Sequence, residues 1–268
     1  MTTDQTLSFT TIQAPNQAFI IHDLARYLAQ RMGVVPRFIN NLPWEERQVL
    51  IDSGEIDVAW ICGLPYVVRA DRGHPNIELL AAPVMAGKRY NNRPIYFSDV
   101  IVRKEQSYQD FTDLRGSNWA YNEPGSQSGY NITRYHLAKI GAQNPFFNKV
   151  IEAGSHERSI QLVMDSSVDA AAIDSTVLEI ARERDVRINN RLRVLTTLGP
   201  SPIPPLVISK QIDVGLRNTI KTLIMEMHKD DRGRQILERG KIRRFESVTD
   251  KDYDPIRDMA RIALDVQL

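Results

Sequence analysis

Residues 7–12 alternate weakly between apolar and polar positions and are rich in Thr and Phe, which predicts a strand ended by Ala14-Pro15-Asn16. Phe19, Ile20, Leu24, Tyr27, Leu28 and Met32 then recur at steps of three and four, so a helix with Gly33 as its stop is expected. A second strand follows over residues 34–39. Pro43 next opens a short helix, with Glu45 and Glu46 near its positive end, Val49 and Leu50 on its buried side and Ser53-Gly54 closing it. Residues 56–61, IDVAWI, are apolar after Asp57, as expected of a parallel strand covered on both faces. That strand ends at Cys62-Gly63-Leu64-Pro65-Tyr66, where a turn and a further helix through Ala70 begin. Ligands of open α/β sheets collect at such carboxyl ends.

The same rhythm continues with strands over 77–84 and 95–103, a helical turn at 111–116, a strand at 117–120, a helix over 131–140 and a strand at 150–154. A helix at 159–164, a strand at 169–173, a helix at 176–185 and a strand at 192–198 complete a second block. Gly199-Pro200-Ser201-Pro202-Ile203-Pro204-Pro205 is the densest proline cluster and reads as a return crossing, leading into a strand at 206–209. Helices are expected over 214–228, 230–239 and 255–264, the last with Ile256, Met259, Ala260 and Ala263 on one side. Strand and helix alternating in two blocks predict an α/β fold of two α/β lobes joined by two crossings. Lobe 1 is expected to comprise residues 1–95 and 201–268, and lobe 2 residues 96–200, with a ligand cleft between them.

Composition narrows the partners. The 268 residues carry Lys+Arg 34 against Asp+Glu 33, a formal charge of +1, so the broad basic field that holds nucleic acid is missing and anion selectivity must be local. No run of 18 apolar residues offers a membrane span. The start, MTTDQTLSFTTIQAPNQAF, lacks a basic n-region and a long apolar core, so the chain is cytoplasmic if Met1 is native and extracytoplasmic if a signal was removed. The single Cys62 lies in an apolar run and reads as a buried, inert thiol. No zinc spacing, P-loop, GxSxG or acid–base carboxylate pair occurs, so neither a catalytic constellation nor a cofactor is expected. The basic run Lys241, Arg243, Arg244 reads as a solvated face, with a partner surface as the other reading.

The stretch with the most chemistry is YNEPGSQSGY, residues 121–130, where a strand ends, Pro124-Gly125 turns the chain and a helix opens with no acid in its first turn. The first amides of a helix have no partner within it and carry partial positive charge, so the stretch suits an anion. Ser126 and Ser128 add hydroxyl donors and Gly129 permits close approach; a plain helix cap at Ser126 or Ser128 is the competing reading.

Four segments in order, SGEIDVAWICGLPYV from Ser53, DLRGSNWAYNEPGSQSGY from Asp113, GSHERSI from Gly154 and VDAAAIDSTVLE from Val168, resemble those of substrate-binding proteins of the type II periplasmic fold. The resemblance is to the phosphate, phosphite and phosphonate branch of ABC-transporter receptors. It implies a small phosphoryl oxyanion held by Ser126, Gln127, Ser128 and Gly129, with His156 from the same lobe. It also implies contacts from Tyr96 at the lobe crossing, from Trp44 and Tyr66 on lobe 1 and from Asp174 near the non-phosphoryl substituent. Taken alone, Trp44 and Tyr66 also read as core or rim aromatics, Tyr96 as strand packing and Asp174 as a helix cap. The chain departs from the family at Gln127, where a small hydroxyl residue is usual, and at Ile203-Pro204-Pro205, where several receptors carry an acid. The implied partner is an ABC permease, with a monomeric receptor expected. A cytosolic or fused anion sensor, or an enzyme on the same fold acting on a small carboxylate like those that dehydrate chorismate, is the alternative.

Overall fold

The computed structural model describes residues 5–73, 76–142 and 144–268. The chain divides into two compact units, the first made of Met1–Ile95 and Pro202–Tyr253, the second of Tyr96–Ser201 and Asp254–Leu268.

In the first unit a sheet has the strand order β11-β4-β10-β3-β1-β2, formed by β1 (Thr6–Thr11), β2 (Val35–Phe38), β3 (Val58–Trp60), β4 (Ile77–Met85), β10 (Leu206–Ser209) and β11 (Ile242–Glu246). β2 and β3 flank β1 in parallel, and the returning β10 inserts antiparallel between β3 and β4. The helices follow local signals. α1 (Ala18–Met32) buries Ile20, Ile21, Leu24, Tyr27 and Leu28 and ends at Gly33 with φ 68°, a left-handed conformation that costs glycine little. α2 (Trp44–Ser53) starts after Pro43 and carries Glu45 and Glu46 in its first turn. α3 (Gly63–Asp71) follows β3, whose Val58, Ala59 and Trp60 are all buried, as a central strand requires. α8 (Val214–Glu226) and α9 (Asp231–Arg239) complete this unit.

β11 is an element the sequence pattern does not predict. Its buried side chains, Ile242 and Phe245, lie three apart because the register against β4 shifts between Ile242 and Arg244, which breaks the two-residue period. The Arg243 and Arg244 of the basic run therefore sit on an edge strand, with Arg244 on Glu246 and on Asn92 Oδ1.

The second unit's sheet has the order β7-β6-β8-β5-β9, from β5 (Ile95–Arg103), β6 (Asn118–Tyr121), β7 (Lys149–Glu152), β8 (Ala170–Asp174) and β9 (Leu192–Pro202). β6 runs parallel to β7 and β8, while β5 is antiparallel to β8. Around it lie α4 (Ile132–Lys139), α5 (His156–Met164), α6 (Ser175–Arg184), α7 (Val186–Arg191) and α10 (Asp254–Ile262). One core cluster gathers Trp119, Phe111, Phe146, Phe147 and Leu137, with Trp119 stacked on Phe147 at 4.6 Å between ring centroids.

The C-terminal segment corrects the expected boundary of lobe 1, since residues 254–268 belong to the second unit. The physical reason is a specific dock: Met259, Val266 and Leu268 pack on the aromatic cluster, and Arg134 of α4 donates to the carbonyls of Val266 and Ala263, both at 2.6 Å. β9 also runs on through Pro202, so the first part of the proline cluster is strand rather than loop.

Candidate functional site

β6 ends at Tyr121, and the chain then turns through Asn122 to Gly125 into a π-helical turn, Gln127–Asn131, which continues as α4. The wide turn is closed by Asn131 N–H donating to the Ser126 carbonyl at 2.9 Å, a five-residue step. Such turns leave more leading amides without an intrahelical acceptor than an ordinary α-turn, and they recur at functional sites. The sequence predicts the helix but not this widening.

The Ser126 hydroxyl caps the turn by accepting from the Gly129 N–H at 3.0 Å, so the plain cap reading holds for its oxygen while its own proton remains a donor. Ser128 is pinned twice. Its carbonyl accepts from the Ser98 hydroxyl of β5 at 2.7 Å, and its own Oγ lies 3.1 Å from His156 Nε2. His156 is the first residue of α5, capped by Ser155, whose Oγ accepts from Arg158 N–H.

Burial pushes the His156 pKa down to about 4, so the imidazole is neutral at pH 7 and bears one N–H. Its Nδ1 is buried with no hydrogen-bond partner. Two tautomers follow. With the proton on Nε2, the ring donates to Ser128 Oγ and frees the serine proton for another acceptor. With the proton on Nδ1, the serine proton is consumed by the ring.

Gly129 serves the protein's own packing. A Cβ there would stand 1.8 Å from Asn122 Oδ1 and 3.3 Å from His156 Cε1, so Asn122 and His156 occupy the space that the sequence reading reserves for a ligand. Asn122 and Ser98 are the supporting residues that the sequence analysis misses.

Gln127 is turned inward. Fully buried, it donates from its amide to Ser201 Oγ at 3.2 Å and meets Met259 S at 3.1 Å, and its oxygen accepts from Asn131 Nδ2 at 2.8 Å. The side chain expected to contact an oxyanion is thereby engaged at both ends.

Asp174 ends β8 and caps α6, accepting from Thr176 N–H at 2.7 Å, Thr176 Oγ1 at 2.6 Å and Val177 N–H at 3.4 Å. Burial pushes its pKa up to about 6, against these hydrogen bonds and with Asp99 adding to the rise. The capping reading is what the geometry shows. Tyr96 is buried on β5 two residues before Ser98, hence on the same strand face.

The two first-unit residues occupy separate helices. Tyr66 of α3 is buried against Tyr253, 4.9 Å between centroids, and donates its hydroxyl to Asp250 Oδ1 at 2.9 Å. Trp44 opens α2 half-buried. The family departure at Ile203-Pro204-Pro205 is a strap whose carbonyls are taken by Tyr253 hydroxyl on Ile203 at 3.0 Å and by Trp60 Nε1 on Pro204 at 2.9 Å. Among the described residues no group of three or more His, Cys, Asp and Glu could hold a metal ion, and no helix is long and apolar enough to cross a membrane.

Residues 8–253 match the model of a family described as ABC transporter, phosphonate, periplasmic substrate-binding protein. The chain is 25% identical over 211 residues to the phosphonates-binding periplasmic protein of Escherichia coli (strain K12), a match covering 77% of this chain and 60% of that protein. Among solved structures, a binding protein component of the ABC phosphonate transporter of Pseudomonas aeruginosa superposes with a TM-score of 0.83 at 19% identity, covering 98% of this chain and 87% of that one. PhnD1 from Prochlorococcus marinus (MIT 9301), solved in complex with methylphosphonate, superposes with a TM-score of 0.84 at 20% identity, covering 97% and 98% of the two chains.

Proposed function

The chain belongs to the family of phosphonate-binding periplasmic substrate-binding proteins of ABC transporters, and from that premise we propose that it captures a small phosphoryl oxyanion at the turn 126–129 for delivery to an ABC permease. The family consists of transporter binding components rather than enzymes.

The observation that carries the reading is the Ser128–His156 pair at the mouth of a π-turn. A neutral His156 with its proton on Nε2 donates to Ser128 Oγ, and Ser128 in turn donates to the anion beside the backbone amides of Gln127 and Ser128. The donor set is neutral, so it holds the anion by hydrogen bonds and backbone dipoles rather than by an ion pair. Ser126 contributes its remaining proton, and Tyr96 of the same unit is a neighbour of the ligand.

Calorimetric titration with phosphate, phosphite, methylphosphonate, 2-aminoethylphosphonate and sulfate at fixed pH tests it. At least one phosphoryl ligand should bind, and Ser128→Ala should weaken that binding by about 1–3 kcal/mol. No heat and no thermal shift with any of the five would refute the receptor reading.

A further inference from the structure

The charge of the chain is spread unevenly. Over all 268 residues the formal balance is +1, yet Lys88, Arg89, Arg93, Lys241, Arg243 and Arg244 come together with one acid, Glu246, among them. No Asp or Glu occurs between Glu78 and Asp99.

The pairing of β11 with β4 gathers these cations. The two strands run antiparallel with Ile242 opposite Met85, and the Ala86 N–H donates to the Lys241 carbonyl at 2.8 Å. Residues 86–93, which leave β4, and the start of β11 therefore share one corner of the first unit's sheet, and all six cations belong to that unit. Arg243 Nη2 donates to the Ala86 carbonyl at 3.5 Å and Arg244 Nη1 to Asn92 Oδ1 at 2.6 Å, which ties residues 86–93 to the strand.

Arg244 is neutralised by Glu246. Lys88, Arg93 and Arg243 are exposed and form no ion pair among the described residues, and Arg89 is exposed beside them. Like charges gathered in this way repel one another. Three of the four described non-glycine residues with positive φ also lie here, Asn91, Asn92 and Lys241; a lysine at φ 55° is strained where an asparagine is tolerated.

Two other uses of the corner are weaker. Charge on an edge strand such as β11 keeps other strands from pairing with it, but that protection needs no cations on residues 86–93. A protein partner is held by an apolar or aromatic centre. None of the exposed large hydrophobic residues falls within 79–98 or 239–246, and Tyr90, the one aromatic ring of residues 86–93, is fully buried. Long cations without a fixed partner suit a diffuse field of phosphates instead.

We propose that this corner of the first unit is a docking surface for an anionic phospholipid bilayer, whose headgroup phosphates meet Lys88, Arg89, Arg93 and Arg243. An ABC permease lies in a bilayer, so this contact holds the receptor close to its partner. The docking surface is independent of the anion turn at 126–129.

The test is co-sedimentation of the full chain with vesicles of phosphatidylglycerol and phosphatidylcholine in equal parts, and with phosphatidylcholine alone. Wild type should pellet with the anionic vesicles only. Raising the salt from about 0.1 M to about 1 M should release it, since the Debye length falls from ~10 Å to ~3 Å. Each cation at an anionic surface is worth about fivefold in partition, so the combined Lys88→Gln, Arg93→Gln and Arg243→Gln variant should bind about a hundredfold more weakly. A control with Lys104→Gln, Lys139→Gln and Lys149→Gln, which removes the same charge from exposed positions of the second unit, should bind as wild type does. Calorimetry with methylphosphonate should give one affinity for all three proteins, which separates this surface from the anion site. Equal pelleting with neutral vesicles, a corner variant that binds like wild type, or a control that loses as much would overturn the proposal. So would an absence of vesicle binding, which leaves the cations as protection of the edge, or capture by permease in neutral vesicles without capture by anionic lipid, which assigns the corner to an acidic protein surface.

Discussion

Replacing Gly129 by alanine tests how the binding turn is supported. The new Cβ would stand 1.8 Å from Asn122 Oδ1, whereas an ordinary carbon–oxygen contact is about 3.3 Å, so Asn122 or the turn must yield by roughly 1.5 Å. The second neighbour, His156 Cε1 at 3.3 Å, leaves little room for the turn to move that way. Overpacking of this kind costs about 1–3 kcal/mol, which lowers Tm by roughly 2–4 °C per kcal/mol in a chain of this size. A shift of that size would also pull Ser128 Oγ out of hydrogen-bond reach of His156 Nε2, now 3.1 Å away, and weaken anion binding by about tenfold or more. Asn122→Ala in the same background should restore much of both losses, because Asn122 Oδ1 has no hydrogen-bond partner to forfeit. Thermal unfolding and calorimetry on the two single variants and the double variant give the coupling directly. A Gly129→Ala protein as stable as wild type, or a double variant no better than Gly129→Ala, would refute the packing argument.

Other consequences are equally specific. The His156 pKa falls from 6.5 unfolded to about 4 folded, so its neutral form stabilises the fold above pH 6.5 and that contribution is lost as pH drops towards 4; His156→Gln should flatten the unfolding free energy against pH in this window by up to ~3 kcal/mol. Asp174 has the opposite sign, since its pKa is raised to about 6 and the penalty of ionising it in place grows as pH rises from 3.8 to 6. Asp174→Asn, which keeps a capping oxygen, should therefore be relatively more stable at pH 7 than at pH 4 by unfolding. Gln127→Ala leaves Asn131 Nδ2 and Ser201 Oγ without the partners they now have, so it should cost about 1–3 kcal/mol of stability, with a smaller effect on ligand affinity. Arg134→Met should release residues 254–268, seen as faster amide exchange there while the first unit's amides are unchanged.

Local signals were legible wherever the cause was local. Gly33 and Gly54 close α1 and α2 in left-handed conformations, as the sequence spacing predicts, and Pro43 opens α2. The alternation of strand and helix likewise yields two sheets, with the first crossing near Ile95. What depends on distant partners was not legible. Gln127 reads as a ligand contact because Ser201 and Met259 lie 74 and 132 residues away in sequence. The amphipathic C-terminal helix is visible in the pattern, but the pattern does not say which core it covers, and Arg134 decides that. β11 escapes because a register shift spoils its period. The family resemblance implies Ser128 and His156 as contacts of one oxyanion, but their own 3.1 Å approach to each other is a fact of the fold.

The central claim is that the turn 126–129 and His156 form the oxyanion end of the site. The most direct measurement is a nitrogen-resolved NMR titration with methylphosphonate, following the backbone amides of Gln127 and Ser128 and both ring nitrogens of His156. The account predicts that these two amides show the largest downfield shifts and that His156 stays neutral with its proton on Nε2 throughout. Saturable binding with those amides unmoved, or with His156 becoming protonated, would contradict it.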